Sequence, residues 1–361
     1  MPHIIGACGF IGTASSAVSD FLKEFDENQA LDKFEFKLAY MTDGLDDLRY
    51  HLTTGSMKYE NGFIAMKRFQ KMTHGYASRE YEKMSKGAFS KLSDEFIDNL
   101  KEGEWVGSCA DPVSEPFLNV AMRIGRKAKW FKIVHKQESK YGREIKAYPL
   151  QKVFFSINPN NLYSLSQKYT KGVLQAMGAS EDKNVILNQP FPGNNPQACM
   201  YFYDNPLAIV VDRDPRDLYA QYFVVAYALG ERQYPIYDVN QFVTLYRKMR
   251  DNMPYKKPDA RVLVIRFEDM IYNYDKTSQI IMDFCKLKTH NHPRKYFDPE
   301  RSINNTQVYK RNEYIRDACK VIEKELTEYL YDFDKYDVSS VRFGDMFEEN
   351  TLNPSGKKWK P

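Results

Sequence analysis

The amino-acid sequence predicts an α/β fold, a mostly parallel β-sheet flanked by helices, and two observations carry that prediction. Short, β-rich apolar runs recur at residues 3–8, 34–40, 185–188, 208–212 and 261–267. They lack clean polar alternation, as strands covered on both faces do. Helical patterns at 15–25, 218–229 and 274–285 follow the first, fourth and fifth of these runs. Such strand–helix alternation favours parallel pairing with helices on both sides.

The first run passes into residues 5–18, IGACGFIGTASSAV. Its strand ends at Gly9, and Gly12, Thr13, Ala14, Ser15 and Ser16 lead into a helix. Small residues there let backbone N–H groups curl around an anion at the positive end of the helix dipole. On the Walker pattern GxxxxGK[ST], Gly9 fits the first glycine and Ser16 the final serine. Ala14 and Ser15 stand in place of the second glycine and the lysine. The segment is either a phosphate loop or a Gly-rich strand-to-helix turn closed by a serine. Its position on the first strand favours the phosphate loop.

The second run leads into residues 36–48, FKLAYMTDGLDDL, where Asp43 precedes a glycine and a short acidic helix pattern. From about 50 to 180, helix-like stretches at 64–72, 94–101, 115–126 and 162–177 surround a basic segment at 126–146. This reads as a helical insertion over the C-terminal edge of the sheet, where α/β proteins bind ligands. The fourth run continues as residues 208–222, AIVVDRDPRDLYAQY. Its strand ends at Asp212 and Arg213, and a helix starts at or just after Pro215, a good first-turn residue. An arginine there points into the ligand crevice of an open sheet, and guanidinium suits forked phosphate contacts. The alternative is a surface Arg–Asp network. A loop at 298–307 and an amphipathic helix at 311–331 follow, and 350–361 reads as a loose tail. The expected organisation is one α/β domain over 1–345 with a tail at 346–361.

Composition narrows the function classes. Lys and Arg number 52 against 48 Asp and Glu, a net charge of +4. With charge nearly balanced, no whole-chain grip on nucleic acid is expected, although a local anion site is compatible with it. A 43% hydrophobic and 14% aromatic content is enough to bury a core. Five dispersed cysteines form no CxxC pair and read as reduced thiols. No signal-peptide pattern opens the sequence and no run approaches ~18 apolar residues, so a soluble, cytoplasmic protein with no membrane span is expected.

Four segments then resemble one family, the PAPS-dependent sulfotransferases, relatives of P-loop kinases that use 3′-phosphoadenosine-5′-phosphosulfate. Residues 12–18, GTASSAV, sit in register with the family's [KR]-S-G-T-T-x-L loop. Residues 211–221 match its V-x-R-x-P-R-D strand up to the last position, eight residues after the arginine, where Gln221 stands in place of the family's serine. Residues 266–287, RFEDMIYNYDKTSQIIMDFCKL, are similar to its YEDL…IxxFLxL segment. Residues 297–310, FDPERSINNTQVYK, resemble its late F-x-P-E-x-S-x-x-N loop.

The resemblance, to a bacterial member, implies a P-loop kinase-like parallel sheet with a helical acceptor-binding insertion. It implies transfer of a sulfuryl group from PAPS, leaving PAP, to a hydroxyl of a small-molecule or glycan acceptor. No metal is implied, because sulfuryl transfer needs no bridging cation of the kind kinases use. The cofactor-binding residues would be Gly9, Gly12, Thr13, Ala14, Ser15, Ser16 and Ala17 at the 5′-phosphosulfate. Arg213, Gln221, Ser302 and Asn305 would serve at the 3′-phosphate side. A surface glycan is the first-choice acceptor and a lipid or steroid alcohol the second.

The departures from the family bear on catalysis. Its loop Lys or Arg is Gly12 here, the serine at the 3′-phosphate is Gln221, and the histidine base has no counterpart near Asn188 and Gln189. Asp43 resembles the catalytic Glu that glycan- and tyrosine-modifying members carry about thirty residues after the loop; otherwise Thr42-Asp43-Gly44 caps the helix that carries Asp46 and Asp47. His135 is a second candidate base. His290 and His292 suggest either metal ligation or a surface turn. The basic segment 126–146 reads as a site for a polyanionic acceptor or as a solvated face. Aromatic stretches at 201–203 and 219–227 would line a sugar or sterol pocket or pack the core. Two rivals share the fold: a nucleotide-dependent kinase, in which Asp212 would hold Mg²⁺, and a non-catalytic binding relative.

Overall fold

The computed structural model describes residues 3–56, 58–107, 151–228, 234–251, 259–311 and 313–335. They form two compact units, Met1–Lys37 with Ala179–Pro361, and Leu38–Gly178. The expected helix at 115–126, the basic segment with His135, and the tail at 346–361 lie outside the described residues.

The first unit is built on a parallel five-stranded sheet. In chain order its strands are β1 (Ile4–Gly9), β2 (Asn28–Glu35), β5 (Asn184–Asn188), β6 (Pro206–Asp212) and β7 (Val262–Arg266), arranged β2-β5-β1-β6-β7. β1 pairs in parallel with both β5 and β6, with Ile5 beside Ile186 and Gly9 beside Val211. β1 and β6 are buried almost throughout, which explains their unbroken apolar sequence. α1 (Ser16–Leu22) and a later helix at Tyr274–Cys285 pack Val18, Phe21, Leu22 and Ile281 against Ile5, Ala7, Ile209 and Val211. Helices at Pro215–Ala228, Val239–Asp251 and Glu313–Glu325 share a second core around Tyr219, Phe242, Tyr246 and Ile322.

β2 lies at 28–35 and not at the apolar run 34–40. It is an edge strand, so polar residues such as Gln29, Asp32 and Lys33 are tolerated there and hide it from an apolar search. The apolar run instead turns into a short 3₁₀ helix that buries Leu38 and Ala39. The helix at 239–251 was not expected from the sequence, because it carries a buried Arg250 beside Phe242, Val243 and Tyr246.

The second unit is mainly helical, with helices at Leu45–Thr53, Tyr59–Thr73, Arg79–Met84, Phe89–Leu100 and Leu162–Ala176. It also holds an antiparallel pair of strands, β3 (Gly103–Gly107) and β4 (Gln151–Phe155), where no strand was expected. An aromatic cluster fills its interior: Tyr169 stacks on Phe96 at 4.8 Å and bonds Ser93 Oγ at 2.7 Å.

Candidate functional site

From β1 the chain goes to β2 and β5 on one side of the sheet, then to β6 on the other. The loops after β1 and β6 therefore diverge and open a crevice at the carboxyl ends of two neighbouring strands. The loop after β1 is fixed by its own side chains. Thr13 donates N–H and Oγ1–H to the Phe10 carbonyl, at 3.1 and 2.8 Å. Gln189 accepts the Gly9 N–H on Oε1 and donates Nε2–H to Ser15 Oγ. The Thr13 and Ser15 hydroxyls are thus turned into the loop, and both residues are buried. Gln189, adjoining the segment where the family's histidine base has no counterpart, works here as a clamp.

Ala14 sits at φ +64° and Gly12 at φ +79°. These conformations turn the chain so that the amides of Ala14, Ser15 and Ser16 donate to no acceptor among the described residues. Three adjacent free N–H groups form an anion-binding nest. The surroundings of Gly12 account for a glycine where the loop it resembles carries a Lys or Arg. A Cβ there would lie 2.9 Å from Tyr222 Oη and 3.1 Å from Leu218 Cδ1, and the backbone is left-handed. Tyr222 packs on that spot and donates its hydroxyl to the Ile11 carbonyl.

Arg213 begins the loop after β6 and is 2% exposed. Its guanidinium donates to the Gly12 carbonyl at 3.3 Å, to Gln221 Oε1 and to the Asn305 carbonyl. Its Nε has no partner, and it forms no ion pair with a carboxylate among the described residues. Its hydrogen bonds all go to neutral acceptors, so the buried Asp217 acts on its charge through space and not through a bond, which leaves room for an anion beside it. Asp217, in the first turn of the following helix, is fully buried and accepts the Gln307 and Tyr309 amides. Burial pushes its carboxyl up to about 7.

A cleft of about 580 Å³ opens over this arrangement. Of the residues chosen from sequence, Ala14, Ser16, Ala17, Arg213, Gln221, Ser302 and Asn305 line it together. Gly9, Gly12, Thr13 and Ser15 form the loop beneath. Sequence reasoning missed the segment Arg294, Lys295 and Tyr296, which also lines the cleft; Phe267, Phe297 and Arg301, inside segments it did single out, line the cleft as well. The adjacent Arg294-Lys295 pair, just before the family-like loop at 297, was the available signal. Four cations face two carboxylates, Asp20 and Asp298, so the cleft favours a ligand with several negative charges.

Asp43 belongs to the second unit. It caps no helix: Gly44 is the N-cap residue of Leu45–Thr53, and the Asp43 carboxylate pairs with Arg68 instead. Its backbone is left-handed, φ +62°, and its N–H donates to Asp47 Oδ2 at 2.7 Å. Within that unit, Asp43, Arg68, Met41, Met72 and Tyr76 line a cavity of about 560 Å³.

The remaining candidates resolve into structural roles. Asp212 is held through both oxygens by Arg250, at 2.5 and 2.9 Å, so it has no free edge for Mg²⁺. His290 bonds Glu24 at 2.6 Å and stacks on Phe25, and His292 bonds Asp26. Phe202, Tyr203, Tyr219 and Tyr222 are buried in the core, whereas Tyr201 is half exposed. Cys8, Cys199, Cys285 and Cys319 are buried free thiols. Among the described residues no helix is long and apolar enough to cross a membrane.

No protein-family model and no curated protein matches the chain. Among solved structures it is similar to the sulfotransferase domain from the curacin biosynthetic pathway, at 11% identity and a TM-score of 0.40, over 92% of this chain and 99% of that one. It is also similar to sulfotransferase STF9 from Mycobacterium avium, at 12% identity and a TM-score of 0.38, over 94% of this chain and 77% of that one. A third is retinol dehydratase in complex with androsterone and the inactive cofactor PAP, at 13% identity and a TM-score of 0.33, over 92% of this chain and 81% of that one.

Proposed function

We propose that this chain is a sulfotransferase that moves the sulfuryl group of PAPS to a hydroxyl of an acceptor. A surface glycan is the first-choice acceptor and a lipid or steroid alcohol the second. The observation that carries the reading is Arg213, a buried guanidinium hydrogen-bonded only to neutral acceptors, facing a cationic cleft beside three free loop amides. The residues fit a bisphosphorylated nucleotide: the Ala14–Ser16 amides suit the 5′-phosphosulfate and Arg213, Gln221, Ser302 and Asn305 the 3′-phosphate. Loop amides aimed at developing charge stabilise it without reorganisation. The acceptor oxygen bonds sulfur as the sulfur–oxygen bond to the 5′-phosphate breaks, and Asp43 is assigned the acceptor's proton. The missing loop cation leaves this charge to the amides and to the basic residues of the cleft.

A kinase reading is weaker on two counts. Ser15 stands where the Walker lysine would be, and Asp212 is locked by Arg250. Turnover with PAPS should therefore survive EDTA; loss of activity restored by Mg²⁺ would favour the kinase.

The cofactor test runs through Arg213. Arg213→Ala should weaken PAPS by roughly 1.5–3 kcal/mol, the range for a hydrogen bond to a charged group. Adenosine-5′-phosphosulfate, which lacks only the 3′-phosphate, should lose much less. Because Arg213 also ties Gly12 to Asn305, some loss common to both ligands is expected. The two proteins and two ligands form a double-mutant cycle in which that common damage cancels. Equal losses would make Arg213 only a brace, and no PAPS binding by the wild type would sink the functional reading.

A further inference from the structure

Glu24 follows α1 in the turn before β2, and its side chain is fully buried. Four donors converge on its two carboxylate oxygens. The backbone amides of Tyr296 and Phe297 reach Oε1, each at 2.9 Å. The amide of Arg294 reaches Oε2 at 3.1 Å, and His290 donates Nε2–H to the same oxygen at 2.6 Å. The Glu24 carbonyl accepts a further amide, from His292, at 3.0 Å.

The segment tied down this way is the strap that contributes Arg294, Lys295, Tyr296 and Phe297 to the cleft. Arg294 is left-handed there, φ +61°, a conformation that a non-glycine residue holds only when its surroundings fix it. Within α1, Ser16, Ala17 and Asp20 contribute to the same cleft. One short helix therefore carries the loop at its start and the anchor of the strap just past its end. A charged carboxylate makes hydrogen bonds about twice as strong as neutral ones, so four of them fix the strap firmly.

We propose that Glu24 is a positioning residue that sets the strap's register against the loop after β1, and so holds Arg294 and Lys295 for the ligand's negative charge. The inference rests on the nucleotide reading of the cleft. Glu24→Gln keeps the volume but turns an amide N–H toward groups that need an acceptor. It should weaken adenosine 3′,5′-bisphosphate binding, measured by calorimetry, roughly tenfold, as expected for a lost hydrogen bond to a charged group. A role confined to general stability would produce the same loss whatever the strap carries. The decisive comparison repeats the substitution in a chain carrying Arg294→Ala and Lys295→Ala, both exposed positions.

In that background Glu24→Gln should cost less than about twofold, because the cations it places are gone. Glu24→Asp runs through the same cycle, keeping the buried charge while withdrawing the acceptors by one methylene. Amide hydrogen exchange at Tyr296 and Phe297 in the free proteins should quicken in both variants. Equal losses in the two backgrounds, wild-type affinity in Glu24→Gln, or unchanged exchange would overturn the role of Glu24 while leaving the nucleotide reading intact. Failure of the wild type to bind adenosine 3′,5′-bisphosphate would overturn the nucleotide reading itself, and this role with it.

Discussion

Asp43→Asn should lower turnover by about 10²–10⁴, the usual cost of losing a general base, while PAPS affinity stays within a few-fold of wild type. The structure makes this substitution a clean one. Asparagine tolerates the left-handed backbone at this position and keeps the N–H bond to Asp47. What it loses is the negative charge, and with it the ion pair to Arg68. That pair is partly exposed, so its own worth to folding is small. Initial rates with a sulfur-labelled donor and an acceptor panel would check the result. A rate within a few-fold of wild type would reduce Asp43 to a partner for Arg68 and turn attention to His135.

Arg250→Ala should destabilise the first unit by about 3–5 kcal/mol, because it strands a buried carboxylate. Arg250 is 1% exposed, grips Asp212 through two nitrogens, and lies over the rings of Phe10 and Tyr246, at 4.0 and 3.4 Å. Since Asp212 ends β6 and Phe10 follows β1, the guanidinium pins both loop origins. Pairing the change with Asp212→Leu should recover much of the loss, since a buried ion pair replaced whole costs far less than one broken. Urea unfolding of the single and double variants measures both effects. An Arg250→Ala loss below about 1 kcal/mol would show that water reaches the site and screens Asp212.

The central strands and the loop between β1 and α1 were legible because their burial leaves its mark on every residue. β6 is apolar from Leu207 to Val211 and meets an arginine and a proline as it ends. The edge strand β2 was misplaced for the opposite reason: half-solvated, it mixes Gln29, Asp32 and Lys33 with its apolar positions. The helix at 239–251 hid behind Arg250, whose burial depends on Asp212, 38 residues away in sequence. In the cleft, Arg213, Gln221, Ser302 and Asn305 stood out because short motifs held them. Glu24 and the strap did not, since the bonds joining them cross some 270 residues and no local pattern encodes them.

The packing of Tyr222 on Gly12 bears on how this chain can change over generations. A cation at position 12 is one codon away in principle, yet a side chain there meets the tyrosine ring and a backbone that disfavours it. Trimming Tyr222 first opens a hole and frees the Ile11 carbonyl. Each single step should therefore cost stability, and even the two together leave a side chain on the left-handed backbone at position 12. The absence of a lysine is in that sense an entrenched trait, and laboratory evolution started from this sequence should recruit a cation from the rim of the cleft before it recovers one at position 12.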